Sequence, residues 1–338
     1  MKLKIVFIGG AKRASTVLRS IVKRKDIAIE FAIFTEGYDY ENKYCEVLVN
    51  IAKENNIEYV LTDKITAEIK EKVKDLKPEV IFGGGTWRSM VDKEFRELAP
   101  YGYISFHGTG LPYYRGWAGI NWYIANGEKE YVNRMFQLDD GIDSGPLVAN
   151  KEGNVFELRI DIDNDKHVAE ILEEVYPLRV KVFNDLLDSL VKREIKFIPQ
   201  DETLAGYTCN RSPEDGEIDW TKKTKEIFNF VRAQSHPYPG AFSFYKNKLF
   251  HVWRASIPKD ARKYVGIIPG KIVERGPEGF VDVLTADGVL RIHEISVNGD
   301  NLIPSQFLKS VRQTLGYKVR DAIENLEQHI KIINSRLI

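Results

Sequence analysis

The chain has 338 residues, of which 43% are hydrophobic and 29% are charged, and its 49 basic side chains balance its 49 acidic ones. This composition is typical of a globular protein long enough for two domains, and a zero net charge argues against a general attraction to nucleic acid or anionic membranes. Because only two cysteines occur, we expect no disulfide framework and a reducing, cytoplasmic setting. The apolar runs are short, so we expect neither a signal peptide nor a membrane span.

The amino-terminal part alternates short apolar strands with amphipathic helices. Strands are predicted at residues 3–8, 28–34, 58–61 and 79–82, with helices between them. This alternation is typical of an α/β fold with a doubly wound, mostly parallel sheet. The turn at Gly9 and Gly10 lacks the full G-x-G-x-x-G pattern, so it indicates a tight strand-to-helix turn rather than a dinucleotide site.

A histidine and a carboxylate follow two later strands. Residues 103–106 form an apolar strand that delivers His107 to its carboxyl end, where open α/β sheets hold their ligands. A further strand over residues 133–138 leads into an acidic turn that contains Asp143. An imidazole titrates near neutrality and suits proton transfer. The pair therefore predicts His107 as a proton acceptor, with Asp143 as the carboxylate that orients it.

Residues 105–116, Ser-Phe-His-Gly-Thr-Gly-Leu-Pro-Tyr-Tyr-Arg-Gly, resemble the formyltransferases that use 10-formyltetrahydrofolate. The family pattern is Asn-x-His-x-Ser-Leu-Leu-Pro-x-x-Arg-Gly, followed later by Asp-Thr-Gly. His107, Leu111, Pro112, Arg115 and Gly116 match this pattern; Thr109 stands for its serine, and Asp143-Ser144-Gly145 stands for the second motif. Two positions depart from it, because Gly110 replaces a leucine and Ser105 replaces the family's catalytic asparagine.

The resemblance implies 10-formyltetrahydrofolate as formyl donor and a site built from three groups of residues, with no metal. The catalytic candidates are His107, Asp143 and Ser105, the last as a donor to the oxyanion. The folate-binding candidates are Gly84, Gly85, Thr86, Trp87, Arg88 and Asp139. The substrate-binding candidates are Thr109, Leu111, Pro112, Tyr113, Arg115 and Trp117.

Each group of candidates also has a structural alternative. Consecutive glycines let a ligand approach the backbone, but they also form flexible turns. Arg115 could hold a phosphate or carboxylate, or it could brace its loop. Asp139 and Asp140 could be solvated turn residues, and the aromatic side chains could belong to the core or its rim.

The carboxyl-terminal part predicts a second, smaller domain. Residues 210–241 resemble a segment shared by methionyl-tRNA formyltransferase and the sugar N-formyltransferases. Short alternating strands then follow between residues 242 and 297, typical of a small antiparallel β-barrel, OB-like in size. We therefore predict a catalytic domain over residues 1–203, a β-barrel domain with a linking helix over 204–303, and a C-terminal helical extension over 304–338.

Two helices carry further predictions. Residues 167–191 read as a long helix interrupted at Pro177, with His167 on the surface near its start. The terminal helix has an apolar stripe at heptad-like spacing, formed by Val319, Ile323, Leu326, Ile330, Ile333 and Leu337. This stripe predicts either packing against the protein's own surface or a homodimer contact.

Charge indicates the acceptor of the formyl group. Methionyl-tRNA formyltransferase carries a basic loop after its second strand, but residues 36–46 here hold four acidic side chains and only Lys43. Residues 206–303 hold fourteen basic and twelve acidic side chains, which is no nucleic-acid footprint. The resemblance therefore favours an amino sugar, nucleotide-linked, as substrate. The alternatives are a methionyl-tRNA formyltransferase and a catalytically silent homologue that binds folate or a nucleotide sugar, because Ser105 replaces the asparagine.

Overall fold

A computed structural model of the chain describes residues 2–36, 43–85, 87, 89–162 and 165–336. The chain divides into two compact units. The first unit comprises Met1–Ile120, Lys129–Ile162 and Ile171–Asn210, and the second comprises Asn121–Glu128, Asp163–Glu170 and Arg211–Ile338. Each unit contains its own main sheet.

The sheet of the first unit is mixed. Its strands, with a short ladder beside them, are β1 (Leu3–Gly9), β2 (Ile27–Phe34), β3 (Tyr59–Leu61), β4 (Val80–Gly83), β5 (Tyr103–His107), β6 (Arg115–Gly116), β7 (Glu130–Gln137), β8 (Leu147–Asn150), β9 (Glu157–Asp161), β10 (Ile195–Ile198) and β11 (Tyr207–Thr208). Strands β3, β2, β1, β4 and β5 lie side by side and run parallel. Beyond β5 the pairings of β7, β8, β9 and β10 are antiparallel. The predicted α/β fold is confirmed.

Helices cover the sheet of the first unit. Those that begin before residue 200 are α1 (Ala11–Ile21), α2 (Lys43–Glu54), α3 (Ala67–Leu76), α4 (Lys93–Arg96), α5 (Gly119–Ala125) and α6 (Val168–Val191). The predicted interruption at Pro177 is wrong, because α6 runs through it. Phe183 of α6 packs on Phe82 and Phe106, with ring centroids 5.8 and 5.1 Å apart. Such packing outweighs the one backbone hydrogen bond that a proline removes.

The second unit is built on an antiparallel sheet, as predicted. Its elements from residue 211 onward are α7 (Thr224–Gln234), β12 (Ala241–Tyr245), β13 (Lys248–Ser256), β14 (Ile272–Arg275), β15 (Val281–Leu284), β16 (Val289–Val297), β17 (Asp300–Leu302), α8 (Pro304–Phe307) and α9 (Val319–Arg336). The strand order is β12-β13-β16-β15-β14, with β17 on β16. Phe228 of α7 belongs to the same buried core as Phe250 and Ile292 of the sheet.

The apolar stripe of α9 lies on the surface. Ile323, Leu326, Ile330 and Ile333 are each more than half exposed, and Leu337 lies outside the described residues. Packing of this stripe against the protein's own surface is therefore a wrong prediction, whereas the homodimer contact stays a prediction. None of the described helices, α9 included, combines the length and apolarity that a membrane span needs.

His167 is buried rather than on the surface, which corrects the sequence-based prediction. It is 4% exposed, its Nε2 accepts a hydrogen bond from the Ala255 amide at 3.4 Å, and its ring meets the edge of Phe228. Its Nδ1 is buried without a hydrogen-bond partner among the described residues. Burial lowers the pKa of His167 from 6.5 to about 4, since desolvation disfavours the charged imidazole.

We expect His167 to make the second unit sensitive to acid. The unfolded chain binds the proton near pH 6.5, but the folded chain does so only near pH 4, so folding stability falls across this interval by about 3 kcal/mol in total. Replacing His167→Gln removes the titrating group and keeps an acceptor for Ala255. The measurement is the loss of urea-unfolding midpoint between about pH 7 and about pH 4.5.

The substitution His236→Gln, at an exposed histidine of the same unit, is the matched control. The expected result is a clearly smaller acid-induced loss in His167→Gln than in the wild type or the control. An equal loss in all three proteins would contradict the assignment to His167.

Candidate active site

His107 ends strand β5 and lies largely buried at the edge of the sheet. Its side chain is 12% exposed, and its Nδ1 lies 3.4 Å from Oδ2 of Asp143. Its Nε2 lies 3.2 Å from the carbonyl oxygen of Tyr114, and the ring meets Phe136 edge-on. The structure thus brings together the histidine and the carboxylate that the sequence predicted.

The loop after β7 holds Asp143 in position from two sides. Its Oδ2 accepts a hydrogen bond from the Gly116 amide at 2.7 Å, and the Gln200 side-chain amide donates to the Asp143 carbonyl at 2.8 Å. Asp143 has a positive φ of 52°, a conformation that aspartate tolerates better than most residues. A side chain at Gly145 would overlap the carbonyl oxygen of Gln137, so the motif needs its glycine for close packing.

The two ring nitrogens of His107 both face oxygen atoms. A neutral imidazole carries one N–H, so one of these nitrogens points its lone pair toward an acceptor. Burial lowers the pKa of His107 below its ordinary value, and the charge of Asp143 and the carbonyl of Tyr114 oppose this shift. The imidazole is therefore neutral near pH 7, with one nitrogen able to take a proton.

Ser105 lies two residues before His107 on β5 and thus on the same face of the sheet. Its hydroxyl donates to the carbonyl oxygen of Gly83 at 3.2 Å. The hydroxyl of Thr109 likewise donates to a backbone carbonyl, that of Tyr113, at 3.0 Å. Both predicted hydroxyl donors are therefore engaged with the backbone.

The glycine run after β4 is explained in part by packing. A side chain at Gly84 would overlap the Phe7 ring, and one at Gly85 would overlap the carbonyl oxygen of Gly10. Trp87 packs against the core of the first unit, and its indole Nε1 is buried without a hydrogen-bond partner among the described residues. An orphaned donor beside the glycines is compatible with a polar ligand at this loop.

Three other folate-binding candidates complete this part of the site. Thr86 and Arg88 lie outside the described residues. Asp139 is an exposed turn residue whose carboxylate accepts hydrogen bonds from the Ser144 hydroxyl and the Gly141 amide. Its neighbour Asp140 pairs with the buried Arg96.

The substrate-binding candidates separate by burial. Thr109, Leu111, Pro112 and Arg115 are buried, whereas Tyr113 and Trp117 are 49% and 52% exposed. Leu111 packs in a small core cluster with Phe136. Only the two aromatic rings therefore present a large surface to a ligand.

Arg115 is fully buried, and its guanidinium is engaged by the segment after β10. It donates to Oε1 of Gln200 at 2.8 Å, to the Glu202 carboxylate at 2.7 and 2.9 Å, and to the Tyr207 hydroxyl at 3.2 Å. The neighbouring ladder joins β6 to β11. Of the two roles predicted for Arg115, these contacts favour bracing of the loop.

Gln200 and Glu202 are parts of the site that sequence reasoning missed. Gln200 joins Arg115 to the backbone of Asp143 and Gly145, and Glu202 neutralises the Arg115 charge. Both residues lie in a polar stretch that the sequence indicated only as a connector. No motif or periodicity marks them. Within the described residues, no group of three histidine, cysteine or acidic side chains is placed to hold a metal ion.

Comparison with known proteins places both units. Residues 3–180 match the sequence model of the formyl transferase family, and residues 211–312 match that of the formyl transferase C-terminal domain. Among solved structures, an N-formyltransferase from Helicobacter canadensis, in complex with folinic acid and dTDP-3-aminofucose, superimposes with a TM-score of 0.64 at 18% identity. The match covers 86% of this chain and 98% of that one.

Two further structures are similar. The sugar 3N-formyl transferase WlaRD has a TM-score of 0.59 and 19% identity, over 89% of this chain and 99% of its own. HypX from Aquifex aeolicus, in complex with tetrahydrofolic acid, has a TM-score of 0.60 and 17% identity, over 93% of this chain and 48% of its own. The chain thus spans about half the length of HypX. At these identities the likeness concerns the fold.

The His107–Asp143 contact predicts how the imidazole titrates. We expect the pKa of His107 to lie below 6.5 in the wild type because burial dominates, and to fall further in Asp143→Asn because the carboxylate charge that opposes burial is lost. The measurement is the NMR shift of the carbon-bound imidazole protons across pH. Asp139→Asn, which changes an exposed carboxylate of the same turn, should leave the pKa unchanged. A pKa that rises in Asp143→Asn would contradict the assignment.

Proposed function

The chain belongs to the formyl transferase family, and from this premise we propose that it transfers a formyl group from 10-formyltetrahydrofolate to the amine of a nucleotide-linked amino sugar. The observation that carries the proposal is the contact of His107 with Asp143 at the edge of the sheet, 3.4 Å from nitrogen to oxygen. An enzyme of this kind needs a neutral base near an amine, and this pair supplies one.

The proton inventory of the reaction sets the role of His107. The amine nitrogen forms a bond to the formyl carbon, the bond from that carbon to the donor nitrogen breaks, and the amine loses one proton. His107 accepts this proton on its unprotonated ring nitrogen, because burial keeps the imidazole neutral near pH 7. Asp143 orients the ring and stabilises the imidazolium that forms, since it is itself held by the Gly116 amide.

The donor pocket is proposed at the glycine run and the turn after β7. Gly84 and Gly85 bring bare backbone toward a ligand, and the buried Trp87 Nε1 is a donor that lacks a partner among the described residues. We include Thr86, Arg88 and Asp139 in this pocket on the basis of the family resemblance. A bound 10-formyltetrahydrofolate supplies the formyl group, which it carries on a nitrogen that can leave.

The acceptor is proposed as a nucleotide-linked amino sugar on two grounds. Two similar structures are sugar N-formyltransferases, and one of them holds dTDP-3-aminofucose. The exposed rings of Tyr113 and Trp117 are suited to stack on a sugar or a base. Thr109, Leu111, Pro112 and Arg115 shape the loop that carries these rings. The even balance of charge over residues 206–303 speaks against a transfer RNA.

The function is tested by a mass-spectrometric assay. Purified protein is incubated with 10-formyltetrahydrofolate and a panel of nucleotide-linked amino sugars. We expect one sugar to gain a single formyl group, and His107→Ala to lower the rate ~10²- to 10⁴-fold, the usual contribution of a general base. His293→Ala, at an exposed histidine of the second unit, should retain full activity.

The other outcomes distinguish the alternatives. Folate binding without product from any sugar would favour the catalytically silent homologue. Formylation of methionyl-tRNA in place of the sugars would favour the methionyl-tRNA enzyme. Product formation that survives His107→Ala would contradict the role of His107.

Ser105 is proposed to donate to the oxyanion when its hydroxyl turns from the Gly83 carbonyl to the substrate oxygen. Removal of one such donor typically lowers kcat by about 10²- to 10³-fold, so we expect Ser105→Ala to lower kcat within that range or somewhat less, with little change in KM. Ser256→Ala, at a serine of the second unit, is the control. Unchanged kcat in Ser105→Ala would end the donor role, and a higher kcat in Ser105→Asn would indicate that serine weakens an ancestral site.

A further inference from the structure

Arg179 is a buried cation without a counter-charge. It lies on α6 and is 5% exposed, and no described carboxylate forms an ion pair with it. Its Nε has no hydrogen-bond partner among the described residues, and its Nη2 donates only a long bond, 3.5 Å, to the Gly84 carbonyl. The guanidinium otherwise lies 4.4 Å from the centre of the Phe106 ring. Buried charges are normally paired, so this group requires an explanation.

The guanidinium keeps its charge at neutral pH. Burial, and then the charge of Arg13, lower the pKa of Arg179 to about 9. The only groups that act in the opposite direction are the hydroxyls of Tyr131 and Tyr176, which are neutral near pH 7. An uncompensated positive charge therefore persists inside the first unit.

The group lies next to the amino terminus of α1. Arg179 contacts the carbonyl of Gly84, and the following residue, Gly85, packs against the Gly10 carbonyl and the Ala14 amide in the first turn of α1. This eleven-residue helix begins at Gly10, which has no side chain to cap its amides. A helix amino terminus carries partial positive charge and exposed N–H groups, which suit an anion.

The side chains around this helix terminus are mainly cationic. Lys12 and Arg13 lie in the first turn of α1, and Arg179 approaches from α6. The one carboxylate in this group, Glu173, pairs with Lys12, and Tyr176 lies under the Lys12 ammonium at 4.9 Å. Three cations thus face a single acidic side chain, which leaves an excess of positive charge.

We propose that the amino terminus of α1 and the buried Arg179 form a binding site for a phosphate group. This inference rests on the proposed function in one respect, because the phosphate would be that of the nucleotide-linked acceptor. The bare amides of the first turn of α1 and the Nε of Arg179 donate to the phosphate oxygens. The anion supplies the negative charge that the described part of the protein does not place beside Arg179.

The site is tested without turnover, with inorganic pyrophosphate as the probe. Its binding is measured by calorimetry and by the rise in Tm, against sodium chloride of equal ionic strength. We expect pyrophosphate, but not chloride, to stabilise the wild type. Arg179→Met should bind pyrophosphate about 10- to 100-fold more weakly, since a charge-assisted contact is lost. Lys181→Met, which removes an exposed cation from the same helix, should bind like the wild type.

A second readout separates a binding role from a purely structural one. In buffer without multivalent anions, Arg179→Met should have a Tm equal to or above that of the wild type, because an apolar side chain of similar length replaces an unpaired buried charge. A structural arginine would give the opposite result, a large loss of Tm.

Three outcomes would overturn the proposal. They are the absence of pyrophosphate binding to the wild type, full binding in Arg179→Met, and a much lower Tm of that variant without anions. Should Arg179→Met fail to fold, the wild-type measurement still decides. Because the assay needs no formyl donor, pyrophosphate binding with no formylated sugar would refute the proposed function and leave the anion site standing.

Discussion

The carboxylate of Asp143 is the contact on which the rest of the site depends. Its Oδ2 accepts the Gly116 amide at 2.7 Å and lies 3.4 Å from Nδ1 of His107. The orientation of the imidazole is therefore set by backbone atoms from two separate loops. Gln200 fixes the backbone of Asp143 and also receives Arg115, so the loop before the carboxylate and the loop that carries it share one hydrogen-bond network. Movement of either loop would displace the carboxylate from the ring.

The sequence contains enough information to find His107 and Asp143, because each follows a strand whose apolar pattern is local. It does not contain enough to decide what Arg115 does. An arginine can bind a phosphate or brace a loop, and the choice depends on what faces it. Gln200 and Glu202 face it, from a stretch more than eighty residues later that has no periodicity. Such long-range pairing leaves no local signal.

The strands of both units were predictable for the same reason, and the errors concern burial. His167 follows polar residues and resembles a surface group, yet it packs against Phe228 and Ala255. Pro177 normally ends a helix, but α6 has Phe183 anchored in the core beyond it. Burial depends on neighbours that are distant in sequence, and tertiary packing overrides local preference.

Two neighbouring residues of β5 illustrate what burial does to a titratable group. Phe106 and His107 point to opposite faces of the sheet; Phe106 contacts Arg179, and His107 contacts Asp143. Burial lowers the pKa of both His107 and Arg179. The imidazole responds by losing its proton, which makes it a base. The guanidinium cannot do so near neutral pH, because even its lowered pKa is about 9. The same desolvation that prepares His107 for proton transfer therefore leaves Arg179 with a charge that an anion can balance.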